Sequence, residues 1–215
     1  MSVRILAQQQ RLKAAGYDPG PLDGEQGPQT FSALLSYTMG RDLGALGKLK
    51  GRAFAANFPV YDITTPFRIA GYIGQTGCET EKYRTFVEKG NGDGPDADKW
   101  DDYLERYDFR ADLGNSHGGD GELYRGRGDI MITGHDNYQR YGDRIGVDLV
   151  SYPERAAEPE IGVKLAMLYW SDHRCNKLAD LGDQGYRALT KSINGGYNGL
   201  ELRIALTVRC LTVQL

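Results

Sequence analysis

The sequence predicts a mainly α-helical protein, and three observations carry that expectation. Apolar residues recur at three- and four-residue spacing through much of the 215-residue chain, as in Ile69 and Ile73 or Ile161, Leu165 and Leu168. Helix-start signals precede several of these runs, most plainly Thr65-Pro66 and Pro28. A hydroxyl can cap the first free N–H groups of a helix, and proline in the first turn gives up only a donor that had no partner. Alternating runs of strand type are scarce, with Ile130 to Thr133 the one short extended segment.

Taken in order, Val3, Leu6, Ala7 and Leu12 share one side of a first helix that should stop near Gly16. A Gly- and Pro-rich loop follows, and Pro28 opens a second helix carrying Phe31, Leu34 and Leu35. Residues 41–51, RDLGALGKLKG, mix three glycines with charges and are the candidate linker. The helix opening at Pro66 places Gln75, Glu79 and Lys82 on its shoulder, beside the apolar seam of Ile69, Ile73, Thr76 and Thr80. Gly71, Gly74 and Gly77 each cost such a helix about 1 kcal/mol relative to alanine, so something should approach its backbone closely. Glu88 follows Glu79 by nine residues, which on one helix is the opposite face. The chain should therefore turn between them, near Arg84 to Glu88.

The acidic stretch with Asn91, Asp93, Pro95 and Asp96 departs from calcium-loop spacing, and reads as a loop leading to a helix with Trp100, Tyr103, Leu104 and Tyr107 on its inner face. Residues 111–123 are glycine-rich without periodicity. Helices are expected from His135, over residues 159–172 and near Tyr186 to Ile193, and a last one should bury Leu200, Ile204, Val208 and Leu211.

Composition narrows the function. A 40% hydrophobic and 26% charged chain has the balance of a soluble globular protein long enough to bury a core. No apolar run approaches the roughly 18 residues of a membrane span. The net charge of −3 and the lack of a basic stripe argue against nucleic acid as a partner. Cys78, Cys175 and Cys210 are odd in number and far apart, which fits reduced thiols. His117, His135 and His173 share no ligand spacing, so no metal and no cofactor are expected. The opening MSVRILAQQQRLK has no apolar signal core, which leads to the expectation of a cytoplasmic protein, and a monomer is expected.

Glu79 and Glu88 are the candidate chemistry. Glycoside hydrolysis needs an acid that protonates the leaving oxygen and, when it inverts, a second carboxylate that activates water. On spacing alone the two glutamates read better as surface charges of a Glu- and Lys-rich helix.

Two resemblances sharpen this. Gly16, Tyr17, Asp23, Gly24, Gly27, Pro28 and Thr30 reproduce the Gly-Tyr, loop, Asp-Gly-x-x-Gly-Pro-x-Thr pattern of the peptidoglycan-binding module of cell-wall hydrolases. Residues 1–40 thus resemble a small wall-binding module of three-helix type, with Tyr17, Asp23, Gly24 and Gly27 as its marker residues. From about Thr65 onward the chain resembles the family 19 glycoside hydrolases, chitinases and phage endolysins with a lysozyme-like helical fold. Gln75-Thr76-Gly77-Cys78-Glu79-Thr80 is similar to the family's acid-bearing helix end, with Cys78 in place of histidine. Tyr124, Gly126, Arg127, Gly128, Ile130, Thr133, Asn137 and Tyr138 match its cleft segment, with Met131 in place of glutamine, and Ile193-Asn194-Gly195-Gly196, Asn198-Gly199 and Arg203 match a third motif.

The resemblance implies a catalytic domain over residues 52–215. In it Glu79 would be the acid, Glu88 the base and Thr133 a holder of the attacking water, while Tyr124, Arg127, Asn137 and Asn194 would bind glycan. Arg127 and Arg203 are open to a second role, holding loops. The implied function is an endolysin that cleaves β-1,4 bonds of peptidoglycan with inversion, kept in the host cytoplasm until released to the wall. Alternatives are a chitinase, a lytic transglycosylase, which would need no base, and a wall-binding protein without activity.

Overall fold

The computed structural model describes residues 1–90 and 103–215. The expected loop with Asp93 and Asp96, and Trp100 beyond it, lie outside the described residues. Ten helices carry the fold among those described: α1 Val3–Ala14, α2 Pro28–Met39, α3 Gly44–Asn57, α4 Pro66–Glu79, α5 Asp120–Leu123, α6 His135–Ile145, α7 Pro159–Asp172, α8 Cys175–Ala179, α9 Tyr186–Asn194 and α10 Leu200–Gln214. The fold is mainly α, as the periodicity predicts. Two compact units result, one from Met1–Tyr83 with Met167–Leu215, the other from Arg84–Ala166. No described helix is long and apolar enough to cross a membrane.

In the first unit the sequence signals act as read at α2 and α4. Pro28 and Pro66 open their helices, and the Thr65 hydroxyl accepts the Arg68 N–H at 3.3 Å. Phe31, Leu34 and Leu35 are buried, and Phe31 meets Phe54 and Phe58 edge-on. Phe54 and Phe58 stack at 4.5 Å, and Tyr72 of α4 stands edge-on to both and to Trp170 of α7. The buried Trp170 N–H is satisfied by Asn176 Oδ1 at 2.8 Å.

Two expectations fail here for physical reasons. Residues 44–51 are not a linker, because they form the first half of α3 and pack on α2. Their glycines serve that contact: a Cβ on Gly51 would run into the Pro28 carbonyl and Ser32, and one on Gly47 would stand 3.0 Å from Ser32 Oγ. The buried face of α10 keeps the expected Leu200 and Leu211 but is otherwise shifted, with Ile204 half-buried. Val208 is 45% exposed, while Arg203, Leu206, Thr207 and Cys210 are buried against their neighbours. That face is chosen by α4, where Gly74 lets the Arg203 carbonyl and Thr207 come close and Gly77 admits Leu206 and Met39. The glycine anomaly in the sequence thus marks the crossing of α4 with α10.

The N-terminal motif is a loop tied to α1. Gln9 is buried, and its amide donates to Asp23 Oδ1, the Glu25 carbonyl and Thr30 Oγ1, while its Oε1 accepts the Gly24 N–H at 2.9 Å. Asp23 Oδ1 also accepts the Glu25 N–H. Gly24 takes φ +72 with Ser2 close by, a position that excludes a side chain. Asp23 and Gly24 therefore shape the loop.

Among its described residues the second unit has little regular strand pairing, and side chains satisfy its loops. Asp108 accepts the N–H groups of Gly119 and Gly121, Asp120 those of Ser116 and His117, and buried Asn115 links the Tyr107 carbonyl to the His135 N–H. The helix expected through Tyr103 and Tyr107 is, over its described part, a single 3-10 turn, Glu105–Tyr107. The expected extended segment is a tight turn instead: Met131 has φ +51, and the only pairings among the described residues are isolated bridges of Arg127 with Val87 and with Ile132.

Candidate active site

Glu79 is the last residue of α4, and the structure gives its two carboxylate oxygens different surroundings. Oε1 accepts Arg203 Nη2 at 2.5 Å, with the Glu79 side chain 14% exposed and that of Arg203 3% exposed. Among the described residues Oε2 accepts no hydrogen bond. Arg203 is itself fixed on three sides, donating from Nη1 to Gln75 Oε1 at 2.8 Å and from Nε to the Asn198 carbonyl at 3.1 Å. Gln75 is buried and donates in turn to Thr190 Oγ1 at 3.2 Å. The chain Thr190, Gln75, Arg203, Glu79 spans three helices, so the carboxylate is held in one orientation with one oxygen left for other work.

Other residues of the expected site surround this helix end. Asn194 is half-buried, with Oδ1 accepting the Asn198 N–H at 3.2 Å and its amide nitrogen turned to no described partner. Cys78, in the histidine's place, sits 3.8 Å from the Gly199 carbonyl. Burial pushes its thiol up from the ordinary range, which makes it a poor nucleophile. Cys175 and Cys210 are buried and pushed up to about 12 by the same cause.

Glu88 belongs to the second unit. Its backbone N–H donates to the Gly126 carbonyl at 2.8 Å, Oε2 accepts the Gly126 N–H at 3.0 Å, and Oε1 accepts the Tyr107 hydroxyl at 3.1 Å. Tyr103 is close by, its phenol pushed up first by burial and then by the Glu88 charge. Gly126 begins the turn that leads to Thr133, whose hydroxyl donates to the Met131 carbonyl at 3.0 Å and keeps its acceptor lone pairs. Asn137 is half-buried and donates to the Thr133 carbonyl at 2.8 Å. Glu88, Thr133 and Asn137 are thus held by one small framework.

Two residues expected to bind glycan do not fit that role. Tyr124 is buried, its ring edge-on to Tyr138 and His135, so neither face is open for a sugar. Arg127 is also buried and donates to the Leu123 carbonyl and the Tyr138 hydroxyl at 2.7 and 2.9 Å. It holds the turn, the second of the roles open to it. Tyr107 as the partner of Glu88 had no signal in the sequence, since it lies 19 residues further along the chain. Tyr17 of the N-terminal motif is half-buried and edge-on to Tyr37, beside an open groove of about 480 Å³ that also has Asp18, Asp42 and Lys48 on its walls. Among the described residues no three His, Cys, Asp or Glu side chains are placed to hold a metal.

The sequence profile of the chitinase class I family, glycosyl hydrolase family 19, matches residues 50–181. A glycosyl hydrolase family 19 domain-containing protein of Haemophilus influenzae is 39% identical over 100 residues, covering 46% of this chain and 47% of that one. Endochitinase 1 of Theobroma cacao is 28% identical over 180 residues, covering 75% of this chain and 53% of its own. The chain thus spans about half the length of these curated relatives. Among solved structures, chitinase C from Streptomyces griseus superposes with a TM-score of 0.63 at 19% identity, over 89% of this chain and 95% of that one, a likeness of fold.

Proposed function

This chain belongs to glycoside hydrolase family 19, and from that premise we propose that it hydrolyses β-1,4 bonds in the glycan strands of bacterial peptidoglycan. The observation that carries this function is the Glu79 carboxyl at the end of α4, with one oxygen tied to Arg203 and the other without a described partner. In the proposed reaction Glu79 delivers a proton through Oε2 to the glycosidic oxygen as the bond from that oxygen to the sugar C1 breaks. Glu88 takes a proton from water as the water oxygen bonds to C1 from the opposite side, so configuration inverts. Thr133 accepts a hydrogen bond from that water, and Asn137 and Asn194 bind acetamido groups. Tethering to the wall through the N-terminal helices, with Tyr17 beside its groove, raises the local concentration of substrate.

A phage lysis role, with a monomer held in the host cytoplasm until release, belongs to the same proposal. A second reading has its own support: the plant relative and the superposed bacterial structure are a named endochitinase and chitinase, which favours poly-N-acetylglucosamine. Digestion of purified sacculi and of chitin, followed by mass spectrometry, separates them. Reducing muramic acid ends from sacculi support the proposal. Activity on chitin alone overturns it in favour of the second reading, and 1,6-anhydro ends remove the base role of Glu88.

A further inference from the structure

The helix that carries Glu79 ends in an unusual turn. Glu81, Lys82 and Tyr83 have φ of +49, +61 and +60, three successive left-handed residues that are not glycine. L-residues rarely hold that conformation in sequence without outside support. The turn comes earlier than the sequence suggests, immediately after the helix and not near Arg84 to Glu88. It wraps the helix end: the Lys82 N–H reaches the Gly77 carbonyl at 2.6 Å, and the Thr80 hydroxyl donates to the Thr76 carbonyl and accepts the Tyr83 N–H. Tyr83 is buried, with its hydroxyl 2.6 Å from Thr76 Oγ1.

Support comes from the N-terminal helices. Arg41 Nη2 donates to the carbonyls of Lys82 and Tyr83 at 3.0 and 3.1 Å, the two peptide groups that the left-handed turn points the same way. Arg41 is anchored in turn, since Gly40 ends α2 at φ +72 and the Arg41 N–H bonds the Ser36 carbonyl at 3.1 Å. From α3 the buried Lys50 ammonium lies 5.9 Å from the centre of the Tyr83 ring. Arg41 stands outside the 50–181 stretch that the family profile matches.

We propose that Arg41 is a positioning residue for the acid: by holding the left-handed turn it fixes the end of α4 and hence the direction of Glu79 Oε2. This rests on the acid role of Glu79. The N-terminal helices are then part of the catalytic apparatus as well as a tether. One nitrogen makes both bonds, so a lysine, whose ammonium ends about one bond short of Nη2, regains them in part, whereas alanine loses them.

The test compares full-length wild type, Arg41→Ala and Arg41→Lys for hydrolysis of purified sacculi and of N-acetylglucosamine hexamer, alongside hydrogen exchange of the amides of residues 79–83. Arg41→Ala is expected to lower kcat by about 100-fold, as misplacement of a reacting group by about an ångström does. KM should stay within about threefold, Lys82 and Tyr83 amides should exchange faster, and Arg41→Lys should recover part of kcat and of the exchange protection. Wild-type kcat in Arg41→Ala, or exchange in the turn unchanged by it, overturns the inference. If wild type hydrolyses neither substrate, the acid role of Glu79 fails by itself, and the exchange data still decide whether Arg41 holds the turn. Should Arg41→Ala not fold, Arg41→Gln takes its place under the same criteria.

Discussion

Replacing the three glycines of α4 by alanine, one at a time, separates helix propensity from packing. Each substitution gains the same about 1 kcal/mol of propensity, so any difference between them reports on what the new methyl group meets. At Gly74 it would stand 2.9 Å from the Arg203 carbonyl and 3.1 Å from the Thr207 N–H, and closer still to Thr207 Oγ1. Ordinary contact begins at 3.4 Å, so the backbone of α10 must retreat by about 0.5 Å. Two of the three atoms are backbone and cannot rotate away. The cost therefore belongs at the upper end of the about 1–3 kcal/mol typical of overpacking. Subtracting the propensity gain leaves Gly74→Ala destabilised by about 2 kcal/mol, a Tm drop of about 4–8 °C for a chain of this size. At Gly71 the methyl meets Leu189, Ala179 and Trp170 side chains at 3.2 to 3.5 Å, and at Gly77 the flexible end of Met39 at 2.8 Å. Both should be close to neutral. Urea and thermal unfolding of the three variants check the order, and a Gly74→Ala protein as stable as wild type would refute the account of the α4–α10 crossing.

Other consequences are equally direct. Tyr107→Phe deletes the hydroxyl that donates to Glu88 Oε1, and kcat should fall about 10- to 100-fold, from the ~1.5–3 kcal/mol of a hydrogen bond to a charged group. Steady-state kinetics should show KM little changed. Gln9→Leu strands the Gly24 N–H, and urea unfolding should show a loss of about 1–3 kcal/mol. The hydrogen bond from Gln9, and after it the Glu25 N–H, hold the Asp23 carboxyl below its ordinary 3.8. A depressed carboxylate stabilises the fold above the unfolded value and stops doing so as pH falls through the folded one. Stability should therefore fall below about pH 3.8, and less so in Asp23→Asn, as denaturation at pH 5 and pH 3 will show.

How much was legible follows from where the signal is local. The start of α4 was readable because Thr65 and Pro66 act on their own neighbours, and its glycines announced a close approach without saying to what. The same residue type misled at 44–51, where Gly47 and Gly51 admit α2 instead of loosening the chain. On α10 the apolar stripe pointed to Val208, but the buried face carries Arg203 and Thr207, polar residues whose partners Gln75, Glu79 and Gly74 lie more than a hundred residues away. Glu79 was found through a motif, and what orients it could not be, since its tether closes only when α4 and α10 meet. Tyr124 and Arg127 were drawn to substrate because aromatic and guanidinium groups so often are, and burial gives them structural tasks. The turn of residues 81–83 had no sequence marker, because its left-handed residues are not glycines and their support comes from Arg41.

The central claim is that Glu79 is the proton donor, and a comparison of wild type with Glu79→Gln tests it most directly. The amide keeps the shape of the side chain and an oxygen for Arg203, so both proteins should unfold at closely similar temperatures. Wild type should release glycan fragments from purified sacculi while Glu79→Gln releases none above background. Equal release by both folded proteins would contradict the assignment.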